Sequence, residues 1–126
     1  MKYTPKQIEK YNRQKYIAEL EKISKNLFRM FRDANTDAEN MASKLEQLKK
    51  KLDEKPPVYL DSEYLRQLKE YIVNIYEKIC KSGTFDDKIL DEMREGQMTA
   101  LNRLQKLKNN TSYKKEKHRS EHHDGW

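Results

Sequence analysis

Tyr16, Leu20, Ile23, Leu27 and Met30 stand four, three, four and three residues apart. Side chains spaced this way fall on one seam of an α-helix, because 3.6 residues complete a turn. The same rhythm returns twice more, and a fourth, interrupted stripe follows. Ala38, Met41, Leu45, Leu48 and Leu52 repeat it, then Leu65, Leu68, Ile72, Ile75 and Ile79, and finally Ile89, Leu90, Met93, Leu101, Leu104 and Leu107. Four apolar stripes, each too narrow to be stable alone, must bury one another. The expected fold is therefore all-α, an antiparallel bundle of about four amphipathic helices.

Breaks between the stripes set the boundaries. Thr4 is an N-cap candidate with Pro5 in the first helical position, where a missing N–H costs nothing. Phe28 and Phe31 widen the first stripe, and Ile8 and Tyr11 are read as continuing its apolar face toward the start. Asp33-Ala34-Asn35 interrupts the pattern, and Thr36 with Glu39 has the spacing of a capping box. Pro56-Pro57 ends the second helix. Asp61 is the expected cap of the third helix, with Leu60 stapling onto Leu65, and Ser82-Gly83 is its left-handed stop. Thr84, with Asp87 three residues on, is the expected cap of the fourth, whose apolar seam Gln97 interrupts and whose middle Gly96 weakens. The resulting helices cover about 5–32, 37–55, 62–81 and 85–109 within a bundle domain of residues 1–110. Beyond Asn109-Asn110 the periodicity ends, and residues 111–126 read as a flexible Lys/His-rich tail.

Composition agrees with a narrow bundle: 38% of residues are charged and 35% hydrophobic, which leaves a thin core for one domain. No apolar run approaches the roughly 18 residues that cross a bilayer, and the N-terminus lacks the apolar stretch of a secretory signal. A cytoplasmic location without membrane attachment is expected. Cys80 is the only cysteine, so no intramolecular disulfide forms, and Ile75 and Ile79 place it beside an apolar stripe as a core thiol.

Of the net charge of +6, residues 103–126 hold +4, with seven basic against three acidic side chains. Residues 1–102 hold 20 basic against 18 acidic groups, a near-balanced surface. Basic character thus reads as a property of the tail.

Chemistry-bearing motifs are scarce. There is neither a Gly-rich phosphate loop nor a cysteine pair for zinc. His118 and His122 have a chelating spacing only if the tail is helical, and no pattern supports a helix there. Arg119 and His123 enclose only three residues, so they miss the Rx4-6H motif of the HEPN ribonucleases. Asp86, Asp87, Asp91, Glu92 and Glu95 gather at the start of the fourth helix, where acids complement the positive end of the helix dipole. The expectation is a protein that is not an enzyme, with no cofactor, no metal and no small-molecule substrate.

What remains is contact with another macromolecule. If the longer first and last helices overhang the middle pair at one end, Ile8, Tyr11, Leu104 and Leu107 lack cover there. Tyr59, Tyr64, Tyr71 and Tyr76 gather on or near the third helix, and such rings favour bundle rims and protein interfaces. The first expectation is a protein-interaction module, an adaptor, regulator or small subunit, that docks on a protein partner or on its own copies through Ile8, Tyr11, Tyr64, Tyr71, Leu104 and Leu107. The alternative is an accessory nucleic-acid-binding subunit using Lys49, Lys50, Lys114, Lys115, Lys117 and Arg119, with Tyr113 and Trp126 available to stack on bases.

Overall fold

Four helices run up, down, up and down in a computed structural model that describes residues 3–109. They are α1 (Pro5–Arg32), α2 (Ala38–Asp53), α3 (Glu63–Tyr76) and α4 (Asp87–Asn109), and a π-helical turn, Glu77–Lys81, prolongs α3. Helix α1 is the axis of the assembly and packs against all three others, while α3 also meets α4 and its π-helical turn meets α2. The described residues contain no strand. The tail assigned to residues 111–126 lies outside them.

The stripes read from the sequence form the core. Ile17, Leu20, Ile23, Leu27, Met41, Leu45, Leu65, Leu68 and Ile72 have no solvent-exposed surface, and each such aliphatic side chain contributes about 1.5–3 kcal/mol by leaving water. At the end of α1 the seam passes through Phe31, which is 1% exposed, rather than through half-buried Met30. The step from Leu27 to Phe31 is a four-residue one that keeps Phe31 on the buried seam.

Helix ends follow capping chemistry, shifted by a residue or two from the expected positions at three of the four starts. Thr4 and Gln7 form a reciprocal capping box at α1, with Gln7 N–H donating to Thr4 Oγ1 (3.2 Å) and Thr4 N–H to Gln7 Oε1 (2.8 Å). At α2 the cap is Asp37, whose carboxylate accepts from the Asn40 N–H at 2.7 Å, so the Thr36–Glu39 box does not form. The acceptor directly before the first turn is here a carboxylate, which the positive helix end favours. Ser62, not Asp61, caps α3 by accepting from the Leu65 N–H. Asp86, not Thr84, accepts from the Ile89 N–H at 2.9 Å at the start of α4. Asp87 is then free to accept the Ala38 N–H at 2.7 Å, tying the start of α4 to the start of α2.

Gly83 stops the third helical segment at φ +74°, a left-handed conformation that costs an L-residue with a side chain about 1–2 kcal/mol. The connection from α1 to α2 is held from across the bundle by Arg94 of α4. Its guanidinium donates to the carbonyls of Met30 (3.0 Å), Phe31 (3.0 Å), Asp33 (2.8 Å) and Thr36 (2.7 Å). The last carbonyls of a helix have no partner within it, and here a single side chain from another helix supplies one.

Candidate docking surface

Helix α1 turns two chemically distinct faces to its surroundings. Tyr16, Ile17, Leu20, Ile23, Leu27 and Phe31 point inward and are buried. At about 100° per residue, Lys15, Lys22, Lys25, Arg29 and Arg32 fall within a band roughly 100° wide centred on the opposite side. All five are exposed, and among the described residues none lies within ion-pair distance of a carboxylate. The acids of α1 avoid this band, since Glu9 lies on the inward side and half-buried Glu19 and Glu21 lie on the flanks. Glu21 faces Lys108 of α4 at 4.0 Å.

Charge is divided unequally among the segments of the chain. Helix α1 carries eight Lys and Arg against three Glu, and residues 100–109 of α4 add three basic groups and no acid. Residues 33–99 carry eleven basic against fifteen acidic groups. The basic character is thus not confined to the tail: it is strongest on α1, while Arg103 of α4 lines a separate groove with Gln67 and Glu70 of α3. Between α1 and α4 runs a groove of about 360 Å³ whose lining includes Lys25, Phe28, Arg29, Arg32, Asn102 and Gln105 and no carboxylate. The Arg32 guanidinium lies over the half-buried Phe28 ring, 5.6 Å from its centre.

At the start of α1 the band passes into apolar and aromatic side chains. Residues 3–9 are all exposed, with Tyr3 at 70%, Ile8 at 47% and Tyr11 at 59%. Ile8 and Tyr11 do not continue the buried seam: they lie about 120° and 180° around the helix from Leu20. The Lys15 ammonium sits 5.3 Å from the Tyr11 ring centre.

The other residues expected at an interface are placed differently. Leu104 is 8% exposed and belongs to the core, and Leu107 packs half-buried against it. Lys108 opposite Glu21 shows why, for the last turns of α4 lie beside the middle of α1 and not beside its first turns. Tyr64 is 3% exposed, and burial, with the Glu21 carboxylate adding to it, pushes its phenol up to about 12. Tyr71 is half-buried, and its hydroxyl bonds Gln97 Oε1 at 2.8 Å. Gln97, which seemed to break the α4 seam, is thus the polar partner that a half-buried phenol needs. Tyr64 and Leu104 are therefore packing residues, unavailable to a partner.

Lys49 and Lys50 also part company. Lys49 binds both oxygens of Asp53 at 2.9 Å and lies over the Tyr76 ring, 5.0 Å from its centre, which neutralises it locally, whereas Lys50 is exposed. Lys114, Lys115, Lys117 and Arg119, together with the tail histidines, lie outside the described residues. Among the described residues no group of three His, Cys, Asp or Glu side chains is arranged to hold a metal. Of the acids opening α4, Asp86 is the cap, Asp87 ties to Ala38 and Asp91 pairs with Arg94 at 3.1 Å, while Glu92 and Glu95 are exposed. Cys80 is half-buried, with its thiol 3.5 Å from the Ala42 carbonyl; burial, reinforced by the nearby Glu46, raises its pKa to about 11. None of the described helices is long and apolar enough to cross a membrane.

Sequence reasoning missed the α1 band and Arg94. The first was visible as an absence of acids at the outward positions of α1, which linear counts conceal. Arg94 has no local signal, since its partners lie about 60 residues away. Compared with known proteins, the chain matches no family model, no curated protein and no solved structure.

Proposed function

We propose that this protein is a non-catalytic docking module, and that its contact surface is the outward face of α1 with the adjoining groove to α4. The observation that carries this reading is the run of five exposed cations on one helix face without a carboxylate partner among the described residues, continued by exposed Ile8 and Tyr11. Like charges crowded on one face repel one another. A surface of that kind is favourable when something of complementary charge covers it. Exposed aromatic and aliphatic side chains at its end add area that gains from leaving water.

A photo-crosslinking amino acid placed at Tyr11 or at Lys22 of the full chain, in its source cells, tests this reading. Lys44 and Glu77, both exposed on other elements, serve as control positions. Adducts concentrated at the two α1 positions support docking there, and equal or greater yield at the controls refutes it. Light scattering of the purified chain identifies the case in which the partner is a second copy, through a mass above monomer that falls with Ile8→Ser and Tyr11→Ser.

A further inference from the structure

We infer that the partner of this face is single-stranded nucleic acid, held through its phosphates by the α1 band and through its bases by nearby aromatic rings. This rests on the docking reading above and names the occupant. From Lys15 to Arg32 the band extends about 26 Å along a straight helix. Its five cations are fixed charges repeating along a line, which complements a polymer with a charge on every unit and not a single acidic ligand. Two of the five are arginines, whose planar forks match phosphate oxygens.

Competing anionic partners fit less well. A membrane-surface helix needs large apolar side chains on the face that meets the lipid. Between Lys15 and Arg32, the outward side of α1 offers only Ala18 among its cations, and apart from half-buried Phe28 and Met30 the large apolar side chains of that stretch are buried in the core. Single strands, by contrast, are bound by cationic grooves combined with aromatic platforms, because unpaired bases present their faces for stacking. Both components are here. Phe28 lies in a groove with Lys25, Arg29 and Arg32, and Tyr11 stands exposed at the end of the band. Asn102 and Gln105 supply amides on the α4 side of the same groove, which hydrogen-bond to backbone or base edges. These contacts read features common to RNA and DNA and to every base, so the binding is sequence-tolerant.

Fluorescence anisotropy of labelled dT30 and U30 with the full chain, between 50 and 200 mM salt, measures the interaction. Five phosphate contacts give a slope of log K against log salt of about −3.5. The variant K22Q/R29Q/R32Q removes three contacts, which lowers the slope magnitude by about 2 and the affinity at 100 mM salt by about 100-fold. K44Q/K50Q/K51Q removes as much charge from exposed positions on α2 and is expected to cost less than about threefold. All six side chains are on the surface, and a circular-dichroism melt of each variant establishes that it folds. Tyr11→Ala in the unaltered background weakens binding about fivefold or more without changing the slope, as lost stacking does.

The inference is overturned by equal losses in the α1 and α2 variants, by the absence of oligonucleotide binding, or by a duplex of the same length bound as tightly as dT30. It is equally overturned if phosphatidylserine vesicles bind and the oligonucleotides do not. The crosslinks separate its failure from that of the docking reading. Adducts from Tyr11 and Lys22 that protease removes and nuclease does not leave α1 as a docking face with a protein partner, whereas adducts without preference for α1 remove both.

Discussion

Replacing Arg94 with alanine tests the most local claim about how this bundle is held together. The guanidinium makes four hydrogen bonds to backbone carbonyls, and three of them, to Met30, Phe31 and Thr36, are partly buried, while the fourth, to Asp33, is exposed. A hydrogen bond contributes about 1 kcal/mol net, and more when one partner is charged. Water replaces the exposed bond at little cost, so three bonds at about 1 kcal/mol each give a loss of about 3 kcal/mol. The neighbouring ion pair to Asp91 adds little, because that carboxylate is 75% exposed. For a domain of this size, 3 kcal/mol corresponds to a melting temperature lower by about 12–20 °C. Arg94→Lys keeps the charge but offers one ammonium in place of a planar fork, and should lose about half as much. Urea unfolding followed by circular dichroism at 222 nm measures both, with Asp91→Asn as a control expected within about 0.5 kcal/mol. If Arg94→Ala falls within 0.5 kcal/mol of the parent, the guanidinium is not what satisfies the end of α1, and this account of the α1–α2 connection is wrong.

Other expectations follow from single sites. Gly83→Ala places a methyl at φ +74° and should destabilise by about 1–2 kcal/mol, whereas Gly96→Ala in the middle of α4, where a Cβ meets nothing within 4 Å, should stabilise by about 0.8–1 kcal/mol; opposite signs in parallel thermal melts check both. Tyr71→Phe leaves Gln97 without its phenol partner and should cost about 1 kcal/mol. Alkaline stability follows from the phenols: Tyr64 at about 12 and Tyr71, also raised by burial, both exceed the unfolded value of about 10. Their contribution is complete below pH 10 and lost as pH rises through the folded values, so the stability measured by urea titration should decline above pH 10, less steeply in Tyr71→Phe. Cys80, raised to about 11, should react with iodoacetamide at pH 8 far more slowly in the native protein than in urea.

Much of the architecture was legible because helical periodicity is a local property. The four stripes, the Thr4 cap, the Pro56-Pro57 break and the Gly83 stop are each decided by residues within a few positions of one another. Caps shifted where two candidates stood side by side, Thr36 with Asp37 and Asp61 with Ser62, and in both pairs the residue directly before the first helical position took the role. The expected overhang failed for α4 because stripes do not carry register: the contacts of Arg94 with the end of α1 and of Lys108 with Glu21 show how far α4 has slid along α1, and in that register Leu104 is buried. Charge was misread for a different reason. Residues 1–102 sum to near balance because the excess on α1 is cancelled, in a count, by the deficit on residues 33–99, and only a count taken helix by helix shows the two apart. Ile8 and Tyr11 were placed on the wrong face because they were grouped with the seam by proximity and not by angle.

The first turns of α1 stand apart from the cooperative unit. Residues 3–9 touch no neighbour closely enough to lose their exposure, and a helix without packing is held only by its backbone bonds and its capping box. Opening this segment does not require the bundle to unfold, so its amide protons should exchange through local fraying, orders of magnitude faster than those of Ile23 or Leu27. The segment can consequently tighten when covered without disturbing the packed core. A protection factor that rises there on complex formation, with the remainder of α1 unchanged, would report occupancy of the surface independently of what occupies it.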